Sequence, residues 1–460
     1  MAETRHLTVN AYLRSAASNY HFQLDDVVDA HLVLGDQPAS AAVALGQRAQ
    51  LPPIENKTVS IAAVLNNVAV DEWQQVYILS QAARSQYDTR EQSSAASILR
   101  YDLFADVLQM NDQQIPKVHV VGTKRENQWR AKVKNDWLAG DVAFDDSFTQ
   151  PINIELDYLH IAALEDDQAV NEAANDTVDP LADVDVSLVK RAKIRIDDLS
   201  YQNKALGQWR FEITPVENGI HIHDIYGSQS GMSLLGAAKG EGASLLWVKQ
   251  KDAADSVSYS QFNGEISGSG IEQLFVDLGY PPLVKSKETE LIIDVAWQGS
   301  PANFAVKRLT GNTYLSLKNG LFVQTNNASS TGALRLLGLF NFNTWARRLK
   351  LDFSDLYKKG MAFDNVTSRL VFDDGFIYFQ EPLFLKGPSG EFTLAGQIDY
   401  PNESIDSVLV TTLPVGGNLT FAAAFAAGLP AAAGVYIVSK IFKPQVDKVS
   451  SLTYAIKGSW

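Results

Sequence analysis

Three stretches of this chain repeat one plan, and that repetition limits the folds open to it. Tyr101 to Phe144, Ala192 to Gly240 and Leu349 to Tyr400 each run as a strand, a short turn, a strand, a turn with glycine or polar residues, and further strands. IRIDDLSYQNKALGQWRFEITPVENGIHIHDIYG can be laid against LKLDFSDLYKKGMAFDNVTSRLVFDDGFIYFQEPLFLKG. Apolar and polar residues alternate through these stretches, which puts every second side chain on one face of a strand. One meander cannot bury both of its faces. Repeats of roughly 45 to 50 residues, joined edge to edge, instead make a long sheet with a continuous apolar face. A sheet of that size must twist and curl, and curling gives a trough. The fold class expected is therefore mainly β: an elongated, curled antiparallel sheet of repeated meanders forming a hydrophobic groove, with short α-helices and an apolar C-terminal helical pair.

Taken in order, the chain predicts strands at Val59 to Val64, Lys117 to Val121 and Trp129 to Val133, with a short amphipathic helix at Val70 to Leu79 that sets Trp73, Val76 and Tyr77 on one side. Glu165 to Asp185 holds eight acids and no base. It lacks both the ligand spacing and the glycine of a calcium loop, so it reads as a solvated loop or linker. Strands resume from Lys193, and Ser269 to Leu278 predicts a short helix ended by Gly279 and Pro281. More strands are expected at Glu290 to Trp297, Asn303 to Thr310 and Thr313 to Val323. Gly332 to Leu351 has helical spacing of Leu336, Leu337, Phe340, Trp345 and Leu349. A meander follows through Phe363 to Phe372, the turn Asp373-Asp374-Gly375, Phe376 to Leu385, Glu391 to Tyr400 and Ser404 to Thr411, and Ser451 to Trp460 closes the chain. The expected division is 1–160 as a β-meander segment, 161–190 as acidic loop or linker, 191–330 as a β segment with one short helix, and 331–460 as a C-terminal meander carrying the amphipathic and apolar helices.

Leu419 to Phe442, LTFAAAFAAGLPAAAGVYIVSKIF, has a different texture. Its polar positions are Thr420, Ser439 and Lys440, and eight of its residues are alanine. As one helix it would reach about 36 Å, enough for a hydrocarbon layer of roughly 30 Å. Pro430 and Gly428 break it into two halves of about 12 residues, each too short to cross. The apolar drive rests on Leu419, Phe421, Phe425, Leu429, Val435, Tyr436, Ile437, Ile441 and Phe442. Two short helices are expected, seated on a membrane surface, over an apolar groove of the same protein, or in an ordinary core.

A formal net charge of −14 disfavours nucleic acid and anionic lipid as charge-selected partners. With no cysteine there is no disulfide framework and no thiolate metal site. The N-terminal residues lack the apolar run of a signal peptide, as expected of a protein that stays inside the cell or of a fragment separated from its targeting segment. GAAKGEG lacks Walker spacing, and GSQSG has glutamine where a nucleophile elbow needs serine. His221 and His223 share a strand face but have no evident third ligand. No catalytic residue, metal site or cofactor is assigned, and an enzyme is not expected.

The stretch GALRLLGLFNFNTWARRLKLDFSDLYKKGMAFDNVTSRLVFDDGFIYFQEPLFLKGPSGEFTLAGQIDY, followed by the alanine-rich helices and AIKGSW, resembles the C-terminal region of YhdP-type proteins of the AsmA-like (AsmA/TamB) group. GYPPLVKSKETELIIDVAWQGSPANFAVKRLTGNTYLSLKNGLFVQ is similar to the same region. The resemblance is strong over about residues 260 to 460 and rests on strand rhythm before that. It implies an elongated β groove in the Gram-negative periplasm that conducts phospholipid between inner and outer membranes, with the C-terminal helices near the outer membrane. It also implies a longer parent protein with an inner-membrane helix. Phospholipid, a membrane surface and an envelope protein are the partners so implied.

An acyl chain needs a dry channel, since its exposure to water costs about 0.8 kcal/mol per methylene. A curled sheet supplies one with no catalytic group. Phe376, Tyr378, Leu383, Leu385, Leu394 and Ile398 are the candidate wall residues, or equally the filling of a closed sandwich core. The alternative role is a non-enzymatic envelope scaffold whose apolar helices dock a partner or membrane.

Overall fold

The computed structural model describes residues 7–13, 17–35, 40–69, 98–110, 113–161, 179, 181–202, 204–238, 240–250, 257–323, 360–412 and 451–459. The chain divides into two compact units, Met1–Ala162 with Lys190–Leu199, and Ala163–Val189 with Ser200–Trp460.

The first unit contains β1 (Leu7–Leu13), β2 (Ala17–Leu24), β3 (Val28–Gly35), β4 (Ser40–Leu45), β5 (Thr58–Ala69), β6 (Ile98–Met110), β7 (Gln113–Arg125), β8 (Gln128–Lys134), β9 (Leu138–Asp145), β10 (Ile152–Ile161) and β11 (Ala192–Tyr201). β1 to β4 form an antiparallel meander, and β6 to β10 form another. Between them β4 pairs with β5, and β5 with β6, in parallel. The sheet is therefore mixed, not antiparallel throughout as the alternation led us to expect. Parallel neighbours need a crossover of a dozen residues or more, and long connections separate these strands, from Gly46 to Lys57 and from Val70 to Ser97.

The second unit is one antiparallel ladder: β12 (Lys204–Val216), β13 (Gly219–Gln229), β14 (Met232–Leu235), β15 (Ala243–Gln250), β16 (Val257–Gly268), β17 (Val284–Gln298), β18 (Thr310–Phe322), β19 (Met361–Asp373), β20 (Phe376–Gly387), β21 (Gly390–Asp399), β22 (Ser404–Thr412) and β23 (Ser451–Ser459). β13 pairs with both β14 and β15, and both of these pair with β16. From β16 each strand pairs with the next. The expected turn at Asp374-Gly375 is present with positive φ at both positions, 43° and 88°, the primed geometry that matches strand twist. In β20 the register shifts between Tyr378, opposite Gln397, and Leu383, opposite Leu394, so β20 holds two residues more than β21 over that interval. Helix α1 (Ile271–Asp277) lies where Ser269 to Leu278 predicted a helix, and Phe275 and Ile271 pack into the core.

Asn303 to Thr310 is not the expected strand. It forms two 3-10 turns, Pro301–Asn303 and Val306–Arg308. Pro301 sits at a helical first position, and the Ser300 hydroxyl accepts from the Ala302 amide at 3.2 Å, so local start chemistry prevails over the alternation of Phe304 and Val306. Ser300 is tied to the acidic stretch: its amide and hydroxyl both donate to the Asp179 carboxylate, at 2.6 and 2.5 Å. Asp185 of the same stretch caps a 3-10 turn at Val186–Leu188. Asp185 thus serves a local cap, and Asp179 a long-range tie to Ser300.

The helices expected at Val70 to Leu79, Gly332 to Leu351 and Leu419 to Phe442, with Leu419, Phe421, Phe425, Val435, Tyr436, Ile437, Ile441 and Phe442, lie outside the described residues. Among the described residues no helix is long and apolar enough to cross a membrane.

Candidate functional site

Paired residues of a ladder share a face, so the register determines which side chains form a continuous surface. In the first unit one row runs Phe22, Ala30, Val43, Ile61, Tyr101, Gly122, Ala131, Val142, Ile154. The row to one side runs Leu24, Val28, Leu45, Ala63, Leu103, Val120, Val133, Gly140, Leu156. The row to the other side runs Tyr20, Leu32, Ala41, Val59, Leu99, Lys124, Trp129, Phe144. Only Lys124 is charged in these three rows.

The face behind them is polar. Its rows include His21, His31, Ser60, Arg100, Thr123 and Arg130, then Gln23, Asp29, Asp102, Lys132, Asp141 and Glu155. Lys132 meets Asp141 there at 2.9 Å.

The small side chains of the apolar face are buried, with Ala30, Ala41, Ala63, Ala105 and Val118 all below 10% exposed. The large ones, among them Phe22, Ile61, Leu99, Leu103 and Trp129, are only half-buried. Sheet neighbours shield the small groups, while the tops of the large ones remain open. Gly122 allows a ring to cross the sheet, because a Cβ there would meet the Tyr101 hydroxyl at 2.4 Å. Tyr101 thus reaches Trp129 (centroids 5.9 Å), which stacks on Phe144 (5.8 Å, 7°), which stacks on Phe148 (5.6 Å, 4°). Burial pushes the Tyr101 hydroxyl pKa up.

This aromatic run ends at a charged margin. Lys124 lies 5.0 Å from the Trp129 ring centroid and 2.6 Å from Asp146, whose other oxygen accepts the Trp129 indole N–H. Burial pushes the Asp146 carboxyl pKa up, but the hydrogen bonds and charge of Lys124, with the Trp129 bond, outweigh it and hold the value below the ordinary range. The neighbouring Asp145 carboxylate accepts from Ser147, Thr149 and Gln150, which holds it far below that range and fixes the turn that follows.

In the second unit the inner row Phe262, Val295, Gly311, Phe372, Ile377, Ile398, Ile405 belongs to a face that is filled. One cluster runs from Phe275 to Ile456, and large side chains within it are nearly sealed, Val366 and Leu385 at 0% and Ile377 and Leu394 at 1% exposed. Four of the sequence-derived candidates, Leu383, Leu385, Leu394 and Ile398, come together in it. Phe376 and Tyr378 do not. They stand on the opposite face, each 36% exposed and stacked on one another at 6.2 Å, while Ile377 and Phe379 point inward from β20. Among the described residues of this unit, the Trp247 indole nitrogen, the Thr289 hydroxyl and the Tyr454 hydroxyl lie buried without a hydrogen-bond partner.

His221 and His223 share a face with rings 5.0 Å apart, and His223 is bonded to Thr214 and Asp224. Burial, then the neighbouring His223, lowers the His221 pKa. Among the described residues no three potential ligands converge to hold a metal ion.

Sequence reasoning nominated no wall residue in the first unit, although its apolar face is the more open one. The signal was available in the alternation of KVHVV and QWRAKVK, which fixes the faces of β7 and β8.

The family model described as YhdP protein matches residues 1–460. The chain is 24% identical over 199 residues to the intermembrane phospholipid transporter YhdP of Escherichia coli strain K12. That match covers 43% of this chain and 15% of the relative's length. No solved structure matches the chain.

Proposed function

The chain belongs to the YhdP family, and from that membership and its geometry we propose that it is a segment of a periplasmic groove of a Gram-negative bacterium that shields acyl chains and conducts phospholipid between membranes. The observation that carries this reading is the apolar face of the first unit: three rows of ladder partners eight or nine residues long, whose large side chains keep part of their surface open. Exposed apolar surface of that extent costs free energy unless a ligand covers it. An acyl chain laid across the strands covers it with no positioned catalytic group, so the role is binding and passage without chemistry. The name of the Escherichia coli relative, a phospholipid transporter, agrees with that ligand class.

In this proposal the wall comprises Phe22, Ile61, Leu99, Leu103 and Val133 in the first unit. In the second unit Leu383, Leu385, Leu394 and Ile398, with Ile377 and Phe379 in the places first considered for Phe376 and Tyr378, fill the interior and would join the wall only when that interior opens. The apolar segments at Leu419 to Phe442 seat the chain on a membrane surface, through Phe421 and Phe425 in particular.

Site-specific photo-crosslinking tests the groove. A benzophenone side chain at Leu103 should capture phospholipid from vesicles or cells, and the same group at Lys132, on the polar face, should not. Equal capture at both positions, or at neither, overturns the reading.

One observation favours a second role for the other unit. Its inner face is filled by its own side chains, as a non-enzymatic envelope scaffold requires. Capture at Leu103 with none at Ile377 would assign passage to the first unit and support to the second.

A further inference from the structure

An acyl chain on an uncharged face leaves the polar end of its lipid without a partner, and among the described residues of the first unit there is a place that meets this need. Lys124 is the charged member of three otherwise uncharged rows, lies one residue from the end of β7, and has Trp129 and Phe144 beside it, with Phe148 beyond at 40% exposed. A lysine whose stem lies along apolar surface with its ammonium at the margin, next to aromatic rings, suits the boundary between hydrocarbon and water. Its partner Asp146 is held from two other directions. The Trp129 indole donates to one carboxylate oxygen, and the Asp146 amide donates to the Asn127 carbonyl at 3.0 Å. Asp146 therefore stays in place when Lys124 swings away. Both side chains are accessible, at 28% and 38% exposed.

We propose that Lys124 and Asp146 form a headgroup site at the margin of the apolar face, selective for phospholipids that carry an ammonium beside the phosphodiester. This rests on the groove reading above. The Lys124 ammonium turns from Asp146 to the phosphodiester, and Asp146 takes the headgroup ammonium in its stead. One ion pair and one zwitterion become two ion pairs, and no charge is stranded. An anionic headgroup without a cation would satisfy Lys124 but set its negative charge near an Asp146 that has lost its counter-cation, which weakens its binding.

The full chain is incubated with vesicles of equimolar phosphatidylethanolamine and phosphatidylglycerol with identical acyl chains, reisolated, and its lipid extracted for mass spectrometry. The wild type should carry phosphatidylethanolamine enriched roughly fivefold over the vesicle ratio, the worth of one partly exposed ion pair. Asp146→Asn should keep its lipid load and lose the enrichment, Asp146→Glu should restore it, and Lys124→Gln should lower the load of both lipids. Lys132→Gln, which removes a cation from the other face, should change neither quantity. Normal loading with an unenriched ratio that no variant alters overturns the headgroup site and leaves the groove standing. Absence of lipid from every protein, wild type included, overturns the groove and the headgroup site together.

Discussion

The two units use the same alternation to opposite ends. In the second, twenty buried side chains from Phe275 to Ile456 join in one cluster, and several of the largest are below 2% exposed. In the first, most of the buried apolar residues are alanine, and Leu99, Leu103, Ile61 and Trp129 are half-open. Polar-out, apolar-in patterning is shared, so it does not distinguish a solid interior from an open wall. Side-chain size on the inner rows and what lies over them make the difference. In the second unit α1 contributes Phe275, and the turns before β18 contribute Val306 and Leu309.

Charge is the harshest way to break this contrast. Leu385→Glu places an unpaired carboxylate where no water reaches and should cost about 4 kcal/mol or more, whereas Leu103→Glu, half-open, should cost about 1 kcal/mol and show mainly as lost lipid capture. Equal losses in chemical denaturation would show that both faces are closed. Truncation is gentler. Leu394→Ala should destabilise by about 3 kcal/mol through transfer and cavity terms, and Leu99→Ala by about 1 kcal/mol because its cavity is already open. Within the first unit, Gly122→Ala sets a Cβ 2.3 Å from the Arg130 carbonyl and against the Tyr101 ring, a cost of about 2 kcal/mol that should also alter Trp129 fluorescence.

A smaller effect is expected where the second unit is pinned to its acidic stretch. Burial pushes the Asp179 pKa up, but hydrogen bonds from Ser300 and Leu181 prevail and hold it below the ordinary value. A carboxyl with a lowered native pKa contributes stability that is complete above the unfolded value near about 4 and is lost as pH falls through the native one. Asp179→Asn should therefore lower stability by about 1 kcal/mol at pH 7 and flatten its fall below about pH 4, seen as converging melting temperatures. Smallest of all, Lys457→Ala, which breaks the exposed pair with Asp406, should change unfolding by less than about 1 kcal/mol.

Much of the ladder was legible in the sequence because its signals are local. The period of two marked β5, β7, β8 and β17 to β23, and Asp374-Gly375 marked a hairpin that needs two positive φ angles. What escaped was non-local or ambiguous. Nothing local in Ala41–Leu45 or Val59–Ala63 tells a parallel partner from an antiparallel one. Phe376-Ile377-Tyr378-Phe379 is apolar at every position, so periodicity cannot say which pair faces inward. The structure turns Ile377 and Phe379 in. Lys124 escaped for a different reason. In TKREN it looks like one more solvated turn charge, and only the pairing of Leu99 with Lys124 places it on the apolar face.

The two additional residues in β20 between Tyr378 and Leu383 show how this sheet can change length. Because they number two, Ile377 and Leu383 stay on the same side. A single insertion at that place that no bulge absorbed would swap sides for every residue beyond it, turning Lys386 into the interior and Leu385 out to water. The ladder takes single additional residues elsewhere, in β13 opposite Arg210 and Glu212 and in β10 between Leu156 and Tyr158, so strands here can lengthen by one where a bulge takes up the added residue and by two where none forms.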